Sequence, residues 1–258
     1  YLKDSLTNKF YFSSSIRSLI LNLQEKQINQ QALNYYFNFG RNDNNETIFK
    51  SIFKLMPGEL LIFENNIIKK EKYLKFNLSN NNLSNKNIKQ LVTNTIKNQL
   101  VSDVPISLSL SGGVDSNVVY SVMRENLDTK FNIYSFKFKD YEKFNPDFNI
   151  AKKNTEFYGN NFIPIEISHD DFIENAEKVS EILEEPIANQ CSILNYCMSK
   201  KITEKVLLTG DGGDEIFTGY DRYRSIYIIQ FLQKFNIFKN ININSGLKNF
   251  DRLFLNNP

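Results

Sequence analysis

The chain has 258 residues, with 31 Lys and Arg, 29 Asp and Glu, and a formal net charge of +2. This near-neutral balance gives no electrostatic reason to expect binding to nucleic acid or to a membrane surface. Two cysteines are too few for a disulfide framework, and no apolar run is long enough to span a bilayer. We therefore expect a cytoplasmic protein with residues enough for one large domain or two smaller ones.

Short strands and helices are predicted for the first 76 residues. Gly40 is expected to end a helix, because glycine adopts the left-handed conformation that closes helices. Glu64-Asn65-Asn66 separates two apolar stretches, a pattern that predicts a β-hairpin. The predicted elements are a strand leading into a helix, a second helix and the hairpin, at residues 10–19, 31–39 and 60–68.

An Asn-rich stretch, residues 77–87, is polar and irregular enough to be an interdomain linker. Ser84 is expected to cap a helix whose apolar face carries Ile88, Leu91, Val92, Ile96 and Leu100. Beyond it, apolar strands alternate with helices. The predicted strands are 105–110, 131–138, 162–167 and 205–209. The predicted helices between and after them are 116–126, 147–158, 170–183, 192–201 and 221–235. This alternation predicts an α/β fold with a doubly wound parallel sheet, in which ligands bind at the carboxyl ends of the strands.

The sequence Ser-Gly-Gly-Val-Asp-Ser, residues 111–116, joins the first of these strands to its helix. Its glycines permit a tight turn, and the first helical turn offers unpaired N–H groups to a ligand. Ser111 and Ser116 add hydroxyl donors, which suits a phosphate or pyrophosphate. Asp115 would repel phosphate oxygens without a cation between them, so the loop also predicts Mg²⁺. The alternative is a tight turn in which Ser111 caps the helix.

A second glycine-rich sequence, Thr-Gly-Asp-Gly-Gly-Asp-Glu at residues 209–215, follows the fourth predicted strand. Asp214 is a second candidate ligand for the metal, and its alternative role is to cap a short helix. A Gly-Lys-Ser/Thr signature is absent from the sequence, so the motif supplies no lysine for a γ-phosphate. Cleavage between the α and β phosphates is therefore expected.

These two glycine-rich sequences resemble the PP-loop ATP pyrophosphatases and, more narrowly, the glutamine-dependent asparagine synthetases of the asparagine synthase B type. Residues 88–258 are similar to the ATP-binding domain of that family. Residues 1–76 are similar to the C-terminal part of its glutaminase domain, an Ntn-hydrolase-type α+β domain, with Leu55-Met56-Pro57-Gly58 in place of a Leu-Pro-Pro-Gly motif. We expect the chain to begin inside the glutaminase domain, because Tyr1 is not the family's cysteine nucleophile, and to stop short of the family's C-terminal part.

The resemblance also implies roles for single residues. Asp115 and Asp214 would hold Mg²⁺ on ATP, and Asp211 would be the catalytic residue in acyl-adenylate formation. An Asx-type turn is the alternative role of Asp211, and core packing is the alternative for Phe138. The residues implied in nucleotide binding are Ser109, Ser111, Gly112, Gly113, Asp115, Ser116, Phe138, Thr209 and Gly210.

The implied reaction converts aspartate to asparagine through β-aspartyl-AMP, with ammonia taken from glutamine. The expected partners are small-molecule substrates, namely aspartate and glutamine or ammonia. The resemblance is also compatible with a homodimer. Asn189 stands where the family usually has an aspartate, which favours another acceptor carboxylate, such as a sugar acid. A tRNA-modifying PP-loop enzyme is a further alternative, which would need a basic surface and a persulfide-forming cysteine. The last alternative is that the chain is a non-catalytic fragment that binds nucleotide weakly or not at all.

Overall fold

The structure is a computed structural model that describes residues 1–4, 8–23, 25–42, 44–74, 85–186 and 189–234. The chain divides into two compact units. Of the described residues, the first unit comprises those between 1 and 74 with 178–186 and 189, and the second comprises 85–177 and 190–234. In the described part of the chain, no helix combines the length and the apolar character that crossing a membrane requires.

The part of the first unit that precedes residue 75 shows, in its described residues, two antiparallel strand pairs and two helices. Its elements are β1 (Leu2–Lys3), β2 (Phe10–Tyr11), α1 (Ile16–Ile20), α2 (Gln30–Phe39), β3 (Glu59–Glu64) and β4 (Ile67–Lys72). The second predicted helix and the hairpin are confirmed. Gly40 ends α2 with φ 72°, and both turn residues of the hairpin, Asn65 and Asn66, also have positive φ. Asparagine tolerates this conformation, which matches the twist of a two-residue hairpin turn.

Glu184 provides a long-range link within the first unit. Its carboxylate accepts hydrogen bonds from the Ser15 hydroxyl at 2.6 Å, from the Ile16 N–H at 2.5 Å and from the Arg17 N–H at 3.2 Å. These groups belong to the beginning of α1, where the side chain of Ser15 itself makes no cap. A carboxylate at this position satisfies helical N–H groups that would otherwise need water. The hydrogen bond from Ser15 holds the pKa of Glu184 below its usual value.

Replacing Glu184 with Gln is expected to destabilise the first unit by about 1–2 kcal/mol at neutral pH, because charged hydrogen bonds are lost. The lowered pKa means that this contribution is present in full above pH 4.5 and is lost as the pH falls through the folded-state value. Thermal unfolding of both proteins at pH 7 and pH 3.5 measures the difference. We expect the difference in stability between the parent protein and Glu184→Gln to shrink at the acidic pH. The control variant Glu177→Gln, which changes an exposed carboxylate, should have little effect on stability. A difference that grows with acid would contradict this account.

The second unit is built on a four-stranded parallel sheet in the order β7-β6-β5-β8. Its strands are β5 (Ile106–Ser109), β6 (Asn132–Phe138), β7 (Asn161–Ile167) and β8 (Val206–Leu208). Its helices are α3 (Asn85–Gln99), α4 (Val114–Asn126), α5 (Pro146–Tyr158), α6 (His169–Leu183), α7 (Cys191–Ser199), α8 (Gly213–Phe217) and α9 (Asp221–Lys234), of which α6 continues into the first unit. All four predicted strands and the α/β fold with a parallel sheet are confirmed.

Helices cover both faces of this sheet. Two buried hydrophobic clusters lie on opposite faces of the sheet. Successive residues of β6 belong to different clusters, Ile133 to the first and Tyr134 to the second. The first cluster joins β5 to α4 and α5, and its buried members include Ile106, Leu108, Leu110, Tyr120, Met123 and Ala151. The second joins β6 and β7 to α7 through Tyr134, Ile165, Ile167, Cys197 and Met198. A strand that is buried on both sides explains the continuous apolar runs in the sequence.

The predicted linker is too long at its C-terminal end. Helix α3 begins at Asn85, so residues 85–87 are helical and do not belong to an irregular connection. The helix expected to follow Ser84 is confirmed as α3. The remaining part of the predicted linker, residues 77–84, lies outside the described residues, as does the end of the predicted helix at residue 235.

Candidate active site

The two glycine-rich loops leave neighbouring strands at the same edge of the sheet. Strands β5 and β8 pair in parallel, with Ile106 opposite Val206 and Leu108 opposite Leu208. The chain turns to β6 on one side of β5 and returns to β8 on the other side. This reversal of strand order is the switch point at which open parallel sheets bind ligands.

The first loop presents N–H and hydroxyl groups at the beginning of α4. The Ser111 and Ser116 hydroxyl oxygens are 3.0 Å apart, and the Gly113 N–H donates to the Ser111 hydroxyl at 3.3 Å. The helix has Gly113 as its N-cap, so no side chain caps it. Gly112 adopts φ 91°, a conformation that glycine enters without strain. The arrangement can accept an anion with backbone and hydroxyl donors together.

The second loop packs directly against the first. A Cβ atom built on Gly210 would lie 2.6 Å from the backbone nitrogen of Ser116. A Cβ atom on Gly213 would overlap the carboxylate of Asp115. Glycine is therefore required at position 210, where the neighbour is backbone, whereas at position 213 it leaves room for the Asp115 side chain. The contact places the Asp115 carboxylate beside the residue that precedes Asp214.

Asp214 and Asp211 have different surroundings within the second loop. Asp214 is half-buried in the first turn of α8, and its carboxylate lies against Gly219. The helix begins at Gly213 with Gly212 as its N-cap, so the alternative role of Asp214 as a cap is wrong. Asp211 is exposed, and its carboxylate accepts a hydrogen bond from the Thr209 hydroxyl at 3.0 Å. The Asp211 N–H donates to the same hydroxyl oxygen at 3.3 Å, which closes a local turn.

The other two nucleotide-binding candidates lie at strand ends. Ser109 is the last residue of β5, and Phe138 is the last residue of β6; both are half-buried. The buried side chain of Asn145 bonds both backbone groups of Phe138: the Phe138 N–H donates to Oδ1 at 2.8 Å, and Nδ2 donates to the carbonyl at 2.9 Å. Asn145 therefore fixes the end of β6, a role that sequence analysis missed.

The donor set suits magnesium bound together with a phosphate chain. Mg²⁺ prefers oxygen ligands and commonly takes one or two carboxylates with substrate phosphates, and the loops supply Asp115 and Asp214 beside an anion-accepting turn. Within the described ranges, no group of three or more His, Cys, Asp or Glu side chains is arranged to hold a metal ion without such a substrate. The carboxylates of Asp115 and Asp214 are thus the residues that would hold such an ion together with the phosphates of a nucleotide.

A parallel sheet with these loops at its switch point defines a Rossmann-like α/β domain of the PP-loop type. The chain belongs to the asparagine synthase family, whose sequence profile, described as Asparagine synthase, matches residues 87–249. A second profile, described as Glutamine amidotransferase domain, matches residues 1–74. The resemblance drawn from the two glycine-rich sequences and the glutaminase-like segment is thereby confirmed. Members of the family are ligases that use ATP.

Individual relatives agree with this assignment. A Methanocaldococcus jannaschii protein assigned by name to the glutamine-hydrolyzing asparagine synthetases is 30% identical over an alignment of 240 positions, which covers 88% of this chain and 46% of the relative. Bacillus subtilis asparagine synthetase (glutamine-hydrolyzing) 1 is 26% identical over a match that covers 85% of this chain and 35% of that protein. Bacillus subtilis asparagine synthetase (glutamine-hydrolyzing) 3 is 26% identical over a match that covers 83% of this chain and 38% of that protein. The chain thus spans less than half the length of these curated relatives.

Proposed function

We propose that this chain carries out ATP-dependent amide synthesis on aspartate. The β-carboxylate attacks the α-phosphorus of ATP, the bond to the bridging oxygen of the β-phosphate breaks, and pyrophosphate leaves. Ammonia then attacks the acyl carbon of β-aspartyl-AMP, loses a proton and displaces AMP to give asparagine. The observation that carries the proposal is the contact between Asp115 and Gly213, because it joins an anion-accepting loop to a second acidic loop at the switch point.

Each residue has a role in this proposal. Ser111, Gly112, Gly113 and Ser116 cradle the departing pyrophosphate with N–H and hydroxyl donors. Asp115 and Asp214 hold Mg²⁺, which when bound neutralises charge on the phosphate oxygens. The nucleotide is lined by Ser109, Phe138, Thr209 and Gly210. Asp211 assists formation of the acyl-adenylate, with its carboxylate oriented by Thr209. Positioning and charge neutralisation suffice, because the carboxylate of the substrate is the nucleophile.

Ammonia from glutamine is part of the same proposal for the whole protein, in which the segment matching a glutamine amidotransferase domain would take part. We further propose that the protein acts in the cytoplasm, where ATP, aspartate and glutamine are available.

Incubating the purified chain with ATP, Mg²⁺, aspartate and ammonium tests the function. We expect AMP, pyrophosphate and asparagine to form in equal amounts. Aspartate labelled with ¹⁸O in its carboxylates should transfer one label to AMP, because ammonia breaks the bond between the acyl carbon and the bridging oxygen and leaves that oxygen bonded to the α-phosphorus. Formation of ADP and phosphate instead of AMP would contradict the assignment of the cleaved bond.

A second candidate acts on another carboxylate by the same chemistry. Asn189 favours it, because an amide replaces a negative charge in the segment that follows Glu185-Pro186. The same assay with a panel of hydroxy acids and sugar acids distinguishes the two. Ammonium-dependent AMP formation with a sugar acid, and none with aspartate, would replace aspartate as the acceptor while leaving the phosphate chemistry in place.

A further inference from the structure

Asn117 binds the carbonyl side of the first glycine-rich loop. Its Nδ2 atom donates to the Gly112 carbonyl at 2.9 Å and to the Gly113 carbonyl at 2.8 Å. Carbonyl oxygens can only accept hydrogen bonds, so chemistry fixes which end of the carboxamide faces the loop. Both side-chain N–H groups of Asn117 thus donate to glycine carbonyl oxygens.

The remaining oxygen of Asn117 is held from a different helix. Its Oδ1 atom accepts a hydrogen bond at 2.8 Å from Nδ2 of Asn154 on α5. Both asparagine side chains are half-buried. Helix α5 also contacts the loop at its own beginning, where the Asp147 carbonyl lies so close to Gly112 that a Cβ atom on the glycine would overlap it. The loop is therefore held by α5 at two points.

A phosphate-binding turn works only if its N–H groups converge on the ligand while its carbonyl oxygens point elsewhere. Carbonyl oxygens carry partial negative charge and would repel phosphate oxygens at this range. The Asn117 side chain donates to the Gly112 and Gly113 carbonyls, and the Ser116 hydroxyl also donates to the Gly113 carbonyl at 3.2 Å, so both carbonyl oxygens already have donors within the protein. Such preorganisation spares the loop a conformational cost when the ligand binds.

We propose that Asn117, oriented by Asn154, is a positioning residue that holds the loop in its phosphate-accepting conformation. The inference deepens the proposed function and rests on it, since it takes the loop to be the triphosphate site. It assigns Asn154 no contact with substrate, only an effect through Asn117. The ligand class affected is a polyphosphate, because only the phosphate part of a nucleotide faces the loop.

Calorimetric titration of the purified chain with Mg-ATP, inorganic pyrophosphate and AMP tests this. We expect Asn117→Ala to weaken binding of Mg-ATP and pyrophosphate by about tenfold, and Asn154→Ala by about threefold. Asn117→Asp, which sets an acceptor against two carbonyl oxygens, should weaken both more than Asn117→Ala does. The affinity for AMP should change less than the affinities for Mg-ATP and pyrophosphate. General damage to the domain would instead weaken the binding of all three ligands alike.

Each variant has a matched control. Asn126 is exposed on the same helix as Asn117 and likewise donates to a carbonyl four residues earlier, that of Val122, so Asn126→Ala removes the same kind of bond far from the loop. Asn149→Ala changes an exposed asparagine on α5. Thermal unfolding identifies any variant that does not fold, in which case Asn154→Ala, remote from the loop, carries the test.

The double variant of Asn117 and Asn154 decides whether the two act in series. We expect it to bind pyrophosphate no more weakly than Asn117→Ala alone, because Asn154 acts only through Asn117. Additive losses would overturn the series arrangement, and unchanged affinity in Asn117→Ala would overturn the inference while leaving the proposed function intact. A parent chain that binds no Mg-ATP would overturn both.

Discussion

Replacing Asp115 with Asn is expected to lower the rate of ammonium-dependent AMP formation by about a thousandfold. The substitution keeps the shape of the side chain, so its contact with Gly213 survives, but it removes a negative charge from the proposed magnesium site. A metal ion that neutralises a polyphosphate leaving group contributes several kcal/mol to the transition state, and about 4 kcal/mol corresponds to a thousandfold in rate. The measurement is AMP release under saturating aspartate over a range of Mg²⁺ concentrations.

Two comparisons make this result specific. Asp128→Asn changes an exposed aspartate just beyond the C-terminal end of α4, the helix that begins near Asp115, and should leave the rate unchanged. Asp214→Asn should resemble Asp115→Asn, and the double variant should be little worse than either, because the two carboxylates act on one ion. An Asp115→Asn protein with nearly the parent rate and the parent dependence on Mg²⁺ would contradict the proposed metal site.

Local sequence signals account for most of the fold of the second unit. Strand β5 is apolar at Ile106 and Leu108, which share one face of the sheet and one buried cluster, and Ser107 between them is also buried because helices cover the other face as well. Gly159 follows α5 and adopts φ 74°, which ends the helix where the sequence indicates. The loop at 111–116 joins strand to helix as predicted, because glycine and serine in that context leave few other conformations open.

Contacts between distant parts of the chain were not predictable in the same way. Alternating strands and helices do not specify that β8 lies beside β5, and this neighbour relation is what brings Asp115 to Gly213. The contribution of Glu184 to α1 joins residues 168 apart in the chain. Asn117 immediately follows the first motif, which is a weak signal, but its partner Asn154 is one of many asparagines in this chain. Composition and periodicity carry no information on which amides meet.

Replacing Gly112 with Ala is expected to have the largest effect on stability, about 3–5 kcal/mol. Two costs combine at this position. The residue has φ 91°, where a side chain is strained by about 1–2 kcal/mol, and the new methyl group would overlap the Asp147 carbonyl at the beginning of α5. Backbone cannot yield as a flexible side chain does, so we expect α5 to be displaced from the loop. Urea unfolding followed by circular dichroism measures the loss.

Gly159→Ala separates the two costs. Gly159 also has positive φ, 74°, but a Cβ atom there would have nothing within 4 Å, and the residue lies outside the candidate active site. Its substitution should cost only the conformational part, about 1 kcal/mol. The excess at Gly112 then measures how tightly α5 packs against the loop. Equal losses at both glycines would show that the close approach of Gly112 to the Asp147 carbonyl does not contribute to stability.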